Sequence, residues 1–165
     1  MKALFIILIL ISMMSFGQDV NIPDVNFKEY LVGEPLINTN GDCEIQLSEA
    51  SSYSGKIDCT NQSISDLTGI EAFTALTELV CRSNQLTSID ISNNTALFFL
   101  WCDNNQLTSL DISANVDLTE LWCSNNQLTS LDVSTNVALT ELLCHYNSIT
   151  ELDISNNPNI YHLDA

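Results

Sequence analysis

LTELWCSNNQLTSLDVSTNVA, residues 118–138, is one copy of a unit that fills most of this 165-residue chain. The other copies cover, in chain order, 54–75, 76–96, 97–117, 139–159 and the partial unit 160–165. The period is 21 residues without a gap, and the first copy alone has 22 residues. Self-similarity at a period of about 20 to 50 residues indicates a solenoid, in which stacked units bury one continuous core.

Each unit carries the pattern L-x-x-L-x-C-x-x-N-x-L. The fixed positions of the quoted copy are Leu118, Leu121, Cys123, Asn126 and Leu128. The first half alternates as a short strand does, so we expect Leu121 and Cys123 to face the core. Glu120 and Trp122 then face the opposite surface. The second half, L-T-S-L-D-[IV]-S, is rich in poor helix formers and too short for two helical turns, which favours a second short strand or an extended turn.

This pattern resembles the leucine-rich repeat family, and the resemblance covers about two-thirds of the chain. The nested 21-residue unit is similar to that of internalin-like bacterial proteins, which are secreted or lie on the cell surface. The resemblance implies a β-rich solenoid with a parallel β-sheet on its concave face. It also implies short extended or β segments on the convex side, a small α-helical N-terminal cap, and non-enzymatic recognition of a protein partner.

Composition excludes other classes of function. Lys and Arg number 4 against 21 Asp and Glu, for a net charge of −17. Because phosphate binding needs a basic surface, we expect no nucleic-acid partner. The sequence also contains no phosphate loop and no activated nucleophile, and it has only 2 His. We therefore expect no enzymatic activity.

Residues 1–17 have the composition of a signal peptide. Lys2 precedes an apolar run from Ala3 to Met14, and Ser15 and Gly17 are small residues at the positions that precede cleavage. The run is too short for a stable membrane span. We therefore expect export and a secreted or cell-surface location.

Residues 18–53 do not repeat and are expected to form an N-terminal cap on the repeats at 54–165. Pro23 and Asp24 open a helical pattern that ends at Gly33. Terminal units of a solenoid must shield the end of the stack, so a cap is expected at this point.

A polar stretch within the cap has the spacing of a 12-residue EF-hand loop. Its candidate Ca²⁺ ligands, at loop positions 1, 3, 5, 7 and 12, are Asn38, Asn40, Asp42, Glu44 and Glu49. Position 1 lacks the usual charge, and position 6 is Cys43 where the loop needs a left-handed Gly, at a cost of about 1–2 kcal/mol. Two hypotheses remain: a weak Ca²⁺ site, or a degenerate loop that serves only as the cap. No cofactor is required by either.

Three further columns recur along the repeats. Asparagines that are expected to bond the backbone of adjacent coils are Asn84, Asn105, Asn126 and Asn147. Inward cysteines are Cys59, Cys81, Cys102, Cys123 and Cys144. We expect them to be reduced core thiols, because ligands spaced one per coil along a line cannot surround a metal ion. The even cysteine count leaves open a disulfide between Cys43 and Cys59.

The third column is acidic, at Asp90, Asp111, Asp132 and Asp153. Neighbouring carboxylates are expected about 4.8 Å apart, one strand spacing. A serine follows each aspartate two residues later, which is typical of an Asx turn. Cation binding between adjacent carboxylates is the alternative.

The outward strand positions differ from unit to unit, unlike the columns above. Candidate partner-binding residues are Glu78, Val80, Arg82, Phe99, Trp101, Asp103, Glu120, Trp122, Glu141, Leu143 and His145. Phe99, Trp101 and Trp122 form the expected centre, since aromatic side chains inside a polar rim are typical of an interaction hot spot.

Three alternatives to protein binding remain for this surface. In the first, the stacked aromatics serve only as sheet-stabilising pairs, worth roughly 0.2–1 kcal/mol each. Tryptophan surfaces beside acids and amides also suit a carbohydrate-binding module. The third alternative is a structural or adhesin spacer that Ca²⁺ stabilises.

Overall fold

The computed structural model describes residues 17–165, so nearly all of the predicted signal peptide lies outside the described residues. Two helices come first, α1 at Val25–Gly33 and α2 at Leu47–Ser52. Six three-residue strands follow: β1 Lys56–Asp58, β2 Glu78–Val80, β3 Phe99–Trp101, β4 Glu120–Trp122, β5 Glu141–Leu143 and β6 His162–Asp164. One turn of 3-10 helix, Ile70–Ala72, lies between β1 and β2.

The six strands form one parallel sheet in chain order. Each strand residue pairs with its equivalent in the next unit, as Leu100 does with Leu121 and Trp101 with Trp122. One repeat is therefore one coil, and the predicted solenoid fold is confirmed. The convex side of the described coils consists of turns and extended segments, without strands.

The core is built from columns of identical positions. Leu100 and Leu121, at the strand centres, are fully buried, as are Cys102 and Cys123 beyond the strand ends. Because a coil cannot enclose its own apolar side chains, each column gains its burial from the coils on either side.

Asparagine side chains bond one coil to the next where the chain leaves the strand. The Nδ2 of Asn105 donates to the carbonyl oxygens of Cys81 and Cys102, both at 3.0 Å. Its Oδ1 accepts the backbone N–H of Leu86 at 3.1 Å. Asn84, Asn126 and Asn147 make the corresponding bonds. These side chains satisfy peptide groups that face away from solvent.

A second asparagine ladder, which the sequence analysis did not single out, lies on the convex side. Its members are Asn94, Asn115, Asn136 and Asn157. Asn136 has no exposed surface, and its Nδ2 donates to the carbonyl oxygens of Ile112 at 3.0 Å and Asn115 at 2.8 Å. A buried or partly buried asparagine amide therefore bonds each coil to the preceding one both after the strand and on the convex side.

Asp24 joins the N-terminal cap to the first coil. Its Oδ1 accepts the backbone N–H groups of Asn26 and Phe27, both at 3.0 Å, and so caps α1. Its Oδ2 accepts the backbone N–H and hydroxyl of Ser65 at 2.8 and 2.9 Å. Partial burial raises the pKa of Asp24, but the hydrogen bonds from Ser65 and Phe27 outweigh it, so the net effect lowers that pKa.

The cap also covers the free edge of the sheet. The Tyr30 hydroxyl, on α1, accepts the backbone N–H of Asp58 at 3.0 Å. An unpaired edge strand invites pairing with another chain, and this contact occupies one of its donors.

Candidate partner-binding face

The outward side chains of the sheet form the concave face in three columns. The first is Lys56, Glu78, Phe99, Glu120, Glu141 and His162; the second is Asp58, Val80, Trp101, Trp122, Leu143 and Asp164. The third, just beyond the strands, is Thr60, Arg82, Asp103, Ser124 and His145. No described helix packs against this face.

An aromatic cluster occupies the centre of the face. Trp101 and Trp122, paired across adjacent strands, stack with ring centroids 4.2 Å apart and planes 7° apart. Phe99 lies 6.3 Å from Trp101, with an interplanar angle of 17°. The Lys56 ammonium lies over the Trp101 ring at 5.7 Å and the Arg82 guanidinium over Trp122 at 5.3 Å. These contacts combine stacking with cation–π attraction.

Two of the candidate residues are covered by their neighbours. Val80 is 3% exposed and Asp103 is 4% exposed. Lys56 and Trp101, from the coils on either side of Val80, approach each other on this face, with the Lys56 ammonium 5.7 Å from the Trp101 ring centroid. Asp103 is paired with Arg82, whose Nε lies 2.7 Å from Oδ1. Val80 and Asp103 therefore pack beneath other side chains of the face and have little exposed surface with which to contact a partner.

Most carboxylates of the face have a basic partner. The pairs are Arg82–Asp103 at 2.7 Å, Lys56–Asp58 at 2.8 Å, His145–Asp164 at 3.1 Å and His162–Glu141 at 3.3 Å. Glu141 also accepts the indole N–H of Trp122 at 2.9 Å. Among the described residues, Glu78 and Glu120 have no basic partner within ion-pair distance. Burial, and then the nearby Glu141 carboxylate, raise the pKa of Glu120.

The contacts of His145 do not form a nucleophile relay. Its Nδ1 lies 3.0 Å from the Ser124 hydroxyl and 3.1 Å from the Asp164 carboxylate. A serine relay needs the hydroxyl and the carboxylate on opposite ring nitrogens. Here one nitrogen faces both groups, so Ser124 is not activated by this arrangement.

The EF-hand-like loop is closed by its own hydrogen bonds. Oε1 of Glu49 accepts the Thr39 backbone N–H and hydroxyl, both at 2.8 Å, and the Asn40 N–H at 3.2 Å. Oε2 accepts the Gln46 N–H at 3.0 Å. Partial burial raises the pKa of Glu49, but the hydrogen bonds from Gln46, Thr39 and Asn40 prevail and lower it. The carboxylate at loop position 12 is thus already bonded to the loop backbone.

The remaining candidate ligands of the loop are engaged within the cap as well. Asn38 donates to the carbonyl oxygen of Asp42 at 2.8 Å, and Glu44 pairs with Lys28 at 2.6 Å. The left-handed residue is Gly41, with φ of 72°, at loop position 4 instead of position 6. Within residues 17–165, no group of three or more His, Cys, Asp or Glu side chains is arranged to hold a metal ion.

The convex aspartates bond their own turns. Oδ1 of Asp90 accepts the backbone N–H of Ser92 at 3.0 Å and its hydroxyl at 2.7 Å. Asp111, Asp132 and Asp153 accept the equivalent backbone N–H. These hydrogen bonds lower the pKa of each aspartate of the column.

All six cysteines carry free thiols. Burial raises the pKa of Cys59 to about 12 and that of the other ladder thiols above its usual value. Cys43 is exposed in the cap loop, whereas Cys59 is buried in the first coil.

Sequence comparison relates the repeats to known proteins. The family model "Leucine Rich repeats (2 copies)" matches residues 95–136. Internalin J of Listeria monocytogenes serotype 4b (strain F2365) is 44% identical over 74 residues, which are 44% of this chain and 8% of that protein.

Comparison with solved structures extends the similarity to most of the chain. A functional domain of internalin J from Listeria monocytogenes, described as including a cysteine ladder, matches with a TM-score of 0.77 and 38% identity. The match covers 90% of this chain and 33% of that domain structure. An internalin (inlF) from the same species matches with a TM-score of 0.64 at 20% identity, over 91% of this chain and 52% of that one. The latter similarity supports the fold alone.

A leucine-rich repeat protein of Leptospira interrogans matches with a TM-score of 0.55 and 25% identity, over 59% of this chain and 28% of that one. This chain thus spans about a third of the internalin J domain and a small part of the full relative. Within the described part of the chain, none of the helices has the length and apolar character needed to traverse a bilayer.

Proposed function

Because this chain is an internalin-like bacterial leucine-rich repeat protein, we propose that it recognises a protein partner through its concave face and catalyses no reaction. The apolar centre at Phe99, Trp101 and Trp122 provides the contact area, and the surrounding charged side chains select the partner. The apolar character of residues 1–17 and the surface or secreted location of the relatives support export of the chain.

One observation carries the proposal. Trp101 and Trp122 are only half-buried, yet they occupy the middle of a sheet face on which no described helix packs. Partly exposed tryptophans at the centre of a concave surface are typical of the residues that dominate binding energy at interfaces.

The test compares two double variants, each of which truncates two partly or fully exposed apolar side chains. Trp101→Ala with Trp122→Ala alters the concave face, and Val116→Ala with Val137→Ala alters exposed valines on the convex side. Each variant is first shown to fold by circular dichroism and thermal melting. Binding is then measured on an array of purified bacterial envelope and extracellular host proteins, beside an array of polysaccharides.

We expect one protein to be bound by the wild type and by the valine variant, and to be lost by the tryptophan variant. A loss of roughly 100-fold in affinity fits truncation of a hot spot at about 2–3 kcal/mol. Binding of a polysaccharide in the same pattern would instead assign the face to carbohydrate. Equal binding by all three forms would place the site elsewhere and contradict the proposal.

A further inference from the structure

The concave face holds two carboxylates that the chain itself does not neutralise. The Lys and Arg residues of the described chain are all committed, in the pairs Lys28–Glu44, Lys56–Asp58 and Arg82–Asp103. The two histidines contact Asp164 and Glu141. Glu78 and Glu120 remain without a cation among the described residues. Lys56 lies beside Glu78 in the same column but pairs with Asp58. A second copy of this chain has no uncommitted Lys or Arg in its described part, so a basic group that pairs with these carboxylates would come from a different molecule.

Glu78 and Glu120 lie on either side of an aromatic ring. In the first column of the face, Glu78 pairs with Phe99, and Phe99 pairs with Glu120. The Phe99 ring is within 17° of parallel to Trp101, which itself stacks on the neighbouring coil. The two faces of the Phe99 ring therefore point toward the adjacent coils, one of which carries Glu78 and the other Glu120. A cation placed there meets a ring face and a carboxylate together.

The spacing disfavours a metal ion at this position. The backbones of Glu78 and Glu120 are two strand spacings apart, about 9.6 Å, with a phenyl ring between them. Ca²⁺ needs several oxygen ligands at about 2.3–2.6 Å, which two separated carboxylates do not supply. A charged head on an apolar stem suits the site better, because the stem packs on the ring while the head reaches a carboxylate.

The state of Glu120 agrees with an unfilled cation position. Its burial, and the Glu141 carboxylate one coil away, raise its pKa. The folded chain thus holds this charge in an unfavourable environment. A bound cation would relieve the repulsion and the desolvation at the same time.

The second column indicates that the cation belongs to a polypeptide. Trp101, Trp122 and Leu143 run beside the Glu78–Phe99–Glu120 column, so a ligand that fills the charged site also lies against apolar area. A free polyamine has no side chains to use that area. An extended peptide with basic and apolar or uncharged residues in alternation has both.

We propose that the concave face binds a basic segment of the partner protein, with a Lys or Arg side chain against Phe99 between Glu78 and Glu120. This inference rests on the proposed function and specifies the partner's chemistry. It gives Glu78 and Glu120, which make no ion pair within the described residues, a role in binding the partner.

The test uses defined probes and a charge-matched control. Fluorescence anisotropy measures binding of three short labelled peptides, alternating Lys–Thr, Arg–Thr and Gln–Thr, with unlabelled spermine as a competitor. Glu78→Gln with Glu120→Gln removes two charges from the concave face. Asp111→Asn with Asp132→Asn removes two from the convex side. The control matters because a net charge of −17 attracts any cationic peptide.

We expect the wild type and the convex variant to bind a basic peptide alike, and the concave variant to bind it about tenfold more weakly. Phe99→Leu should weaken the same peptide a few-fold, since the ring face is lost. Equal weakening by the two charge variants would show general attraction and overturn the inference. Equal binding of the Gln–Thr peptide, or no binding of either basic peptide, would overturn it too.

Spermine that competes as well as the basic peptide, at equal charge, would exclude a polypeptide-specific site and so overturn the inference. Failure of the inference is separable from failure of the proposed function. If a protein partner is lost by the tryptophan variant but retained by the glutamine variant, recognition through the concave face stands and its basic partner chemistry is rejected. If neither variant loses the partner, both are rejected.

Discussion

The concave face and the interior of the coils follow opposite rules. In the interior of the coils from β2 to β5, the same residue recurs coil after coil: leucine at the strand centre, cysteine after it, and asparagine at both turns. On the concave face, the equivalent column changes from Val80 through Trp101 and Trp122 to Leu143. A column that bonds each coil to the next must fit the same gap every time, whereas a surface column is free to vary. The contrast teaches which residues hold the fold and which are available for recognition.

The sharpest expected contrast is between thiols. In the native protein we expect Cys43 alone to react promptly with a thiol reagent, while the five ladder cysteines react roughly a thousandfold more slowly. The ladder thiols are buried, burial raises their pKa, and only the thiolate reacts. Titration with a chromogenic disulfide counts the reactive thiols, in the native protein and again in denaturant. Cys43→Ser should abolish the fast phase, and a second fast thiol would show that the ladder is open to solvent.

The next contrast is between buried and exposed amides of one coil. Asn136→Ala removes one of the two hydrogen bonds accepted by each of the carbonyl oxygens of Ile112 and Asn115, and we expect a loss of about 1–3 kcal/mol in the free energy of unfolding. Gln127→Ala, at an exposed position, should cost less than about 0.5 kcal/mol. Urea unfolding followed by circular dichroism measures both. Similar small losses would mean that the convex ladder does not hold the coils together.

The N-terminal cap is joined to the first coil by the Asp24 carboxylate, and the stability that this contact provides depends on pH. Asp24→Ala removes the α1 cap and the bonds to Ser65, and we expect it to destabilise the protein by about 1–2 kcal/mol. Because folding lowers the pKa of Asp24, its contribution is present above the unfolded pKa and is lost as the pH falls through the folded one.

Thermal melting between neutral and strongly acidic pH measures this dependence. The gap in melting temperature between wild type and Asp24→Ala should close toward low pH. A gap that stays constant over the whole range would exclude the charged carboxylate as the source of the stability.

Glu120 should behave in the opposite way. Its pKa is raised by burial and by Glu141, so ionisation destabilises the folded state as the pH rises through that pKa. We expect Glu120→Gln to stabilise the protein by about 0.5 kcal/mol or less at neutral pH, and to have no effect at a pH where the glutamate is protonated. Urea unfolding at two pH values measures this. A destabilising substitution at neutral pH would mean that the charge has a partner within the fold.

The smallest expected effect is that of calcium. Glu49 is already bonded by four donors of its own loop. We therefore expect the melting temperature to change by less than about 1 °C up to about 1 mM Ca²⁺. Mg²⁺ at the same concentration is the control for ionic strength. A specific rise with Ca²⁺ would show that the loop opens to bind the ion, and would support the calcium-stabilised spacer.

The repeat period was enough to predict the sheet, its register and the burial of the leucines and cysteines. The second asparagine ladder was visible in principle, because every S-x-N motif carries one, as at Asn115 and Asn136. It was missed because asparagine in a turn usually faces solvent, and only stacking of coils shows that this one lies inside.

The pairing pattern of the concave face could not be predicted from spacing. Alternation places Arg82 and Asp103 on that face but does not say that the two pair and that Asp103 is thereby buried. Long side chains reach one or two coils away, as Lys56 does toward Trp101. That Glu78 and Glu120 make no ion pair is therefore visible only in the folded structure, because the sequence does not show which basic side chain reaches which carboxylate.

Because the 21-residue repeat is unbroken, one whole coil can be deleted without changing the register of the others. Loss of residues 118–138 would join Asp117 to Leu139, and Asn147 would then meet the coil that Asn126 meets now. Every interior bond would be restored, while Trp101 would face Leu143 instead of Trp122. Gain or loss of whole copies by recombination would therefore change the concave surface in a single event and leave the packing of the interior unchanged.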